Sequence, residues 1–149
     1  MIPGARYVHT NLVARDWPLL ASFYVETFGC VILSPERDYS GSDLSAGTGI
    51  PNARLRGAHL RLPGYGDSGG PTLEIFQYDP EGTAEAAPPA NRPGFGHIAF
   101  TVPSVPDARR EVLARGGSTH GEIVTLELST GAKVTWCYVR DPEGNLVEL

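Results

Sequence analysis

Hydrophobic and polar positions along the chain predict two similar series of secondary-structure elements. Alternation over residues 6–14 is typical of a strand with one buried face. Apolar residues then recur at helical spacing over 17–28, between Asp16 as the N-cap and Gly29 as the C-terminal stop. The rest of the first series is predicted as strands at 30–39, 54–62 and 71–79, with a long loop at 40–53 and a hairpin loop at 64–70.

The same order of elements returns after a linker. Residues 80–93 are rich in proline, alanine and glutamate and have no periodicity. The second series is predicted as a strand at 94–102, a helix at 104–115 and strands at 118–128, 133–141 and 145–149. The sequence therefore predicts an α+β fold of two βαβββ modules, at about 5–79 and 94–149, within one domain spanning 1–149.

Aligning the two series brings residues of the same chemical type together. His9 aligns with His97, and Glu74 aligns with Glu148. Taken singly, each is more often an ordinary strand residue than a ligand. Equivalent residues of modules related by a pseudo-twofold axis converge, however, and two carboxylates are costly to bury together unless a positive charge lies between them. Imidazole with carboxylate suits Zn, Ni, Co, Mn or Fe(II), so the repeat predicts a site for one divalent metal ion.

Composition narrows the classes of partner. The 149 residues carry a net charge of −5 with 41% hydrophobic residues, and Lys133 is the single lysine, which argues against nucleic acid. No apolar run approaches the roughly 18 residues of a membrane span, and residues 1–13 lack the pattern of a signal peptide. Cys30 and Cys137 are interpreted as small buried hydrophobes in a reducing compartment, so a cytoplasmic protein is expected.

The repeat and several motifs resemble the vicinal oxygen chelate superfamily, which includes glyoxalase I, methylmalonyl-CoA epimerase, extradiol dioxygenases, and fosfomycin and bleomycin resistance proteins. The motifs are HTNLVARD, FYVETFG, LEIFQY, GHIAFTV and DPEGNLVEL, and the resemblance covers nearly the whole chain. It implies eight strands that form a cup around a metal site, with ligands from the first and last strand of each module. Those positions hold His9, Glu74, His97 and Glu148.

The ligand set separates the reactions of this superfamily. The resemblance implies that extradiol dioxygenases and fosfomycin enzymes use a His, His, Glu triad, with no ligand at the position of Glu74. Glyoxalases and epimerases use all four positions. The set resembles bacterial glyoxalase I, which implies a lactoylglutathione-lyase-like or epimerase-like proton transfer next to a carbonyl, with the metal as Lewis acid. Glu148 is then the first candidate for the catalytic base and Glu74 the second. Zn or Ni is expected first, with Co, Mn or Fe as alternatives.

The resemblance also concerns the substrate. It implies a small molecule with vicinal oxygens and, as is usual in the superfamily, a homodimer. Glyoxalase I typically has an arginine four residues after the first ligand, where it holds the glutamyl carboxylate of glutathione. Here that position is Val13, which puts glutathione in doubt. Candidate substrate-binding residues, chosen by strand parity or by flanking the long loop, are Asn11, Arg54, His59, Trp136 and Tyr138.

Two other functions stay open from the sequence. An Fe(II) extradiol-type dioxygenase would use His9, His97 and Glu148 and leave Glu74 outside the ligand set. An antibiotic-binding resistance protein, similar to the bleomycin binders, would hold a bulky aromatic ligand without metal or chemistry. Whether one chain closes the site or two chains of a dimer share it is also open.

Overall fold

The computed structural model describes residues 1–66, 69–83 and 87–149, which form the α+β fold that the sequence predicts. Parts of the predicted hairpin loop (67–68) and of the predicted linker (84–86) lie outside the described residues. The helices are α1 (Trp17–Phe28), α2 (Ser42–Thr48) and α3 (Val105–Ala114). The strands are β1 (His9–Val13), β2 (Val31–Ser40), β3 (Arg54–Arg61), β4 (Thr72–Asp79), β5 (Ile98–Ala99), β6 (Ser118–Thr119), β7 (Val124–Glu127), β8 (Lys133–Trp136), β9 (Tyr138–Arg140) and β10 (Leu146–Glu148).

The chain divides into two compact units, unit one (Met1–Thr83) and unit two (Ala84–Leu149). The sheet of unit one has the order β1-β4-β3-β2, in which β1 pairs parallel with β4 and the other pairs are antiparallel. Helix α1 packs against β2, β3 and β4. The fully buried side chains at this contact include Leu20, Tyr24, Leu60 and Ile75.

The boundaries of α1 match the prediction because both ends are capped. The Asp16 carboxylate accepts a hydrogen bond from the Leu19 N–H at 3.0 Å, and Pro18 lies in the first turn, where a missing N–H leaves no hydrogen bond unmade. Gly29 ends the helix in the left-handed conformation, with φ 72°, which a residue without a Cβ adopts without strain.

Unit two repeats the topology of unit one. Its main sheet has the order β5-β10-β9-β6, with β5 parallel to β10 and the other pairs antiparallel. Helix α3 contacts β6, and the buried core contains Val112, Val139 and Val147. Strands β1, β4, β3 and β2 therefore correspond to β5, β10, β9 and β6, which confirms the predicted repeat of two modules. Strands β7 and β8 form a separate two-stranded sheet.

The structure corrects several predicted elements. The predicted loop 40–53 contains helix α2, whose residues are not buried and so give no apolar periodicity to detect. The predicted strand 94–102 is reduced to the two residues of β5, after which the Phe100 N–H still donates to the Glu148 carbonyl at 2.9 Å. Two predicted strands are each broken in two: 118–128 around Gly121, and 133–141 at Cys137, whose N–H and carbonyl pair with the backbone of Leu149. These breaks turn the expected eight strands into ten.

The two cysteines are free and buried, as the sequence predicts. Burial raises the pKa of the Cys30 thiol to about 11, and it raises the pKa of Cys137 as well. Neither thiol is therefore poised as a nucleophile near neutral pH. Within the described part of the chain, no helix is long and apolar enough to cross a membrane.

Candidate functional site

The parallel pairing of β1 with β4 brings the first predicted ligand pair together. His9 opens β1, and Glu74 lies on β4 directly opposite Asn11. His9 Nε2 lies 3.2 Å from Glu74 Oε2. Residues far apart in sequence thus meet because the first and last strands of the unit are neighbours in its sheet.

Unit two builds the same pair at the same place. His97 immediately precedes β5, Glu148 lies on β10, and these two strands pair in parallel. His97 Nε2 lies 3.3 Å from Glu148 Oε2, close to the separation in unit one. Each half of the predicted four-residue set is therefore present within its own unit.

Glu74 is surrounded by donors. It is a buried charged residue of the core, and its Oε2 accepts from the Asn11 amide nitrogen at 3.4 Å. His59, opposite Glu74 on β3, places Nε2 3.1 Å from Oε1. Burial lowers the pKa of His59, and the negative charge of Glu74 opposes this effect. Two of the predicted substrate contacts, Asn11 and His59, thus lie against Glu74.

Glu148 has different neighbours. The Glu148 side chain is 34% exposed, against 11% for Glu74. Tyr138 lies opposite it on β9. The pKa of Tyr138 is raised, first by burial and then by the charge of Glu148 and the hydrogen bond to it. The position equivalent to Asn11 is Ala99, opposite Glu148 on β5, so unit two has no amide donor there.

The structure shows which face of the seventh predicted strand lies beside the pair of unit two. The Tyr138 ring centroid is 5.1 Å from that of His97 and 5.1 Å from that of Trp136. Cys137 and Val139 point to the opposite face and are fully buried. Tyr138 therefore lies beside the His97–Glu148 pair, and Trp136 packs edge-on against Tyr138.

Arg54, the remaining predicted substrate contact, is engaged elsewhere. Its guanidinium donates to both carboxylate oxygens of Asp38 on β2, at 2.8 and 2.6 Å. This bidentate pairing lowers the pKa of Asp38, and both side chains are about half exposed. Val13, at the position where an arginine would hold glutathione, is exposed on β1.

Two residues that were not predicted from the sequence shape the surroundings of Glu74. Thr72 Oγ1 lies 3.3 Å from His59 Nδ1, and the Phe76 ring packs edge-on against the His59 ring with centroids 5.7 Å apart. Thr72 precedes Glu74 by two positions on β4 and Phe76 follows it by two, so strand parity puts all three on one face. That parity was the available signal.

The chemistry of the two pairs fits a divalent metal ion. Imidazole nitrogen and carboxylate oxygen are the donors that Zn, Ni, Co, Mn and Fe(II) accept, and the same pair recurs in both units. Among the residues that the structure describes, no group of three or more histidine, cysteine, aspartate and glutamate side chains is arranged to hold a metal ion. Each pair by itself brings together one imidazole nitrogen and one carboxylate oxygen.

Comparisons with known proteins agree with this topology. A family model described as the Glyoxalase/Bleomycin resistance protein/Dioxygenase superfamily matches residues 6–149. The chain is similar to the structure of a glyoxalase family protein from Bacillus cereus, with 22% identity, a TM-score of 0.83 and coverage of 100% of this chain and 97% of that one. No curated relative matches the chain.

Two further solved structures share the fold at lower similarity. One is the trypanothione-dependent glyoxalase I of Leishmania major, with 20% identity, a TM-score of 0.63 and coverage of 98% and 86%. The other is the fosfomycin resistance protein FosX of Listeria monocytogenes in complex with Mn(II) and 1S,2S-dihydroxypropylphosphonic acid, with 16% identity, a TM-score of 0.58 and coverage of 100% and 92%. At these identities the likeness concerns the fold.

Proposed function

The chain belongs to the Glyoxalase/Bleomycin resistance protein/Dioxygenase superfamily, and we propose that it is a metal-dependent lyase or isomerase of the glyoxalase I or epimerase type. The proposed reaction is a proton transfer next to a carbonyl in a small substrate with two vicinal oxygens. One observation carries the proposal: both units pair a histidine Nε2 with a glutamate oxygen at the same place in the same sheet topology.

In this proposal His9, Glu74, His97 and Glu148 hold one divalent ion. Zn or Ni is expected, with Co, Mn or Fe as alternatives, because these ions accept nitrogen and oxygen donors together. Each pair supplies two donors, so the proposal requires both pairs to bind the same ion, from one chain or from two chains of a homodimer. When bound, the ion supplies Lewis-acid stabilisation of the negative charge that develops on the substrate oxygen.

We assign the proton transfer to Glu148, with Glu74 as the second candidate. The carboxylate takes the proton from the carbon next to the carbonyl, and the resulting carboxylic acid returns it to the neighbouring carbon. Two features favour Glu148, because a base must be free to move between two carbons. Its side chain is more exposed than that of Glu74, and the residue opposite it is Ala99, which has no amide donor like that of Asn11. A well-placed base is worth roughly 10²–10⁴ in rate.

An apolar or partly aromatic substrate is supported by Tyr138, which lies opposite the glutamate that is assigned as base, and by Trp136, which packs against Tyr138. Asn11 and His59 remain candidate contacts in unit one. Val13 offers no charge for a glutamyl carboxylate, so we expect a thiol other than glutathione, or an acyl-CoA thioester.

Elemental analysis of the protein, purified anaerobically and without chelators, tests the metal first. About one equivalent of Zn, Ni, Co or Mn per chain is the expected result. Screening of α-hydroxythiohemiacetals and acyl-CoA thioesters in D₂O for exchange of the proton next to the carbonyl then follows. Stoichiometric iron with oxygen consumption on catechols would instead establish an extradiol-type dioxygenase. No metal, and none taken up on titration, would leave a binding protein.

The matched substitutions Glu74→Gln and Glu148→Gln then separate the two glutamates. Glu148→Gln is expected to lower the rate of proton exchange by roughly 10²–10⁴, because the amide cannot accept the proton. Glu74→Gln is expected to weaken metal binding. Because a glutamine oxygen can itself bind the metal ion, as in the epimerases, a Glu74→Ala variant that keeps both its metal and its full activity would contradict the four-ligand proposal.

A further inference from the structure

A second histidine of unit one approaches the glutamate of the proposed metal site from the adjacent strand. The β3–β4 register places His59 directly opposite Glu74, and Nε2 lies 3.1 Å from Oε1. The other carboxylate oxygen, Oε2, faces His9 Nε2 at 3.2 Å. The two oxygens of Glu74 therefore face two different histidines.

The contacts of His59 are compatible with a proton on Nε2. A carboxylate can only accept, so a hydrogen bond across the 3.1 Å between Nε2 and Glu74 Oε1 requires Nε2 to be the N–H donor. In the neutral ring Nδ1 is then an acceptor, and the Thr72 hydroxyl at 3.3 Å can donate to it.

Packing fixes the plane of the ring. Phe76 lies edge-on against His59, with centroids 5.7 Å apart and an interplanar angle of 84°. Phe76 in turn lies opposite Gly57 on β3, where an added Cβ would come within 2.3 Å of the Phe76 ring. The absence of a side chain at Gly57 thus makes room for the ring that supports His59.

We propose that His59 is a positioning residue for Glu74: it holds Oε1 by an Nε2–H hydrogen bond and thereby presents Oε2, beside His9, as the oxygen that binds the metal ion. This role rests on the proposed function. It differs from both metal ligation and substrate contact by His59, because in this role Nε2 keeps its proton and donates it to Glu74. Carboxylate and imidazole ligands depend on such outer hydrogen bonds for orientation.

Unit two lacks this arrangement. The residue opposite Glu148 is Tyr138, whose phenol is a single donor, and the position equivalent to Thr72 on β10 is Leu146, which offers no hydroxyl. The metal-facing orientation of Glu74 is therefore supported by a two-step hydrogen-bond chain that Glu148 does not have. The two glutamates therefore differ in the hydrogen bonds that orient them as ligands.

Zn²⁺ affinity, measured by competition with a chromogenic chelator, tests the role. His59→Phe keeps a ring against Phe76 but removes the N–H, and it is expected to weaken Zn²⁺ binding about 10–100-fold. His59→Gln places an amide N–H within reach of the same carboxylate oxygen and is expected to recover most of the loss. Equal affinity in His59→Phe and wild type, or no recovery in His59→Gln, would overturn the role.

The tautomer supplies a readout that needs no activity. Two-bond ¹⁵N–¹H correlation spectra are expected to show His59 as the Nε2–H tautomer in both metal-free and Zn²⁺-loaded protein. Loss of the Nε2 proton on Zn²⁺ addition would instead make His59 a ligand and refute the role. Should His59→Phe fail to fold, Thr72→Val, which removes the hydroxyl that faces Nδ1, is expected to weaken Zn²⁺ binding, whereas Thr72→Ser, which keeps the hydroxyl, is not.

The proposed metal site and the role of His59 are refuted by different results. A wild-type protein that binds no Zn²⁺, Ni²⁺, Co²⁺ or Mn²⁺ would refute the proposed function and the role of His59 together. A wild type that binds Zn²⁺ as tightly as its His59→Phe variant would refute the role of His59 alone.

Discussion

Replacement of Gly57 by alanine should destabilise the protein through one well-defined collision. Gly57 lies on β3 opposite Phe76. A Cβ at this position would lie 2.0 Å from the Ile75 carbonyl oxygen and 2.3 Å from Phe76 Cδ1. The aromatic ring could rotate away, but the carbonyl oxygen belongs to the β3–β4 ladder, so the two strands must separate locally.

The expected cost follows from that geometry. Overpacking of a filled interior typically costs about 1–3 kcal/mol, and a clash with backbone on a central pair of strands belongs at the upper end, about 3 kcal/mol. For a chain of this size each kcal/mol corresponds to roughly 2–4 °C, so the melting temperature should fall by about 6–12 °C. The Gly57→Ala variant is therefore expected to unfold at a markedly lower urea concentration than wild type, as measured by far-ultraviolet circular dichroism.

Gly47→Ala is the matched control for this experiment. Gly47 lies within α2, and an added Cβ there would meet no atom within 4 Å. The same glycine-to-alanine change should then stabilise the protein by about 0.5–1 kcal/mol, because alanine restricts the unfolded chain and favours helix. If Gly57→Ala were as stable as wild type, or as stable as Gly47→Ala, the packing described around Phe76 would be wrong.

Three further predictions concern the core, a helix end and the thiols. Leu60→Ala should lower the free energy of unfolding in urea by about 2–5 kcal/mol, whereas Val31→Ala, at an exposed position, should change this free energy by no more than about 0.5 kcal/mol. Equal effects of the two substitutions would contradict the assigned core. Asp16→Ala should cost about 1 kcal/mol through loss of the α1 cap, with Asp16→Asn retaining most of the stability, and no loss in the alanine variant would refute the cap. A thiol reagent at pH 8 should label neither Cys30 nor Cys137 until the protein unfolds. Since burial raises the pKa of Cys30 to about 11 from 9.0 in the unfolded chain, its contribution to stability should be lost as pH rises from 9 towards 11, and a Cys30→Ala variant should show a weaker decline.

Local signals determined how well individual elements were predicted. Helix α1 was predicted to the residue because its caps, Asp16 and Gly29, are side-chain and backbone features that act over a few positions. Helix α2 was missed because its serine, glycine and threonine residues favour loops and it buries no face. Its existence depends on surroundings that a periodicity search does not register.

The candidate site shows the same division. The repeat aligned His9 with His97 and Glu74 with Glu148 because the two modules could be compared with each other, without any knowledge of the strand register. The contact between His59 and Glu74 could not be predicted, since it requires the exact alignment of β3 with β4 across a loop too long to define register by turn type. Strand parity gave the residues that share a face with His59 but not the residue opposite it on β4.

The edge position of β1 links the site to the order in which unit one folds. Asn11 and Glu74 are 63 residues apart in the chain, and closing a loop of that length costs roughly 4 kcal/mol of chain entropy beyond a constant term. The antiparallel strands β2, β3 and β4 can pair through shorter connections, so β1 should join the sheet late. Local opening of this terminal strand would then carry His9 away from Glu74 without unfolding the rest of the unit, and amide exchange along β1 would measure how often the histidine and the glutamate are apart.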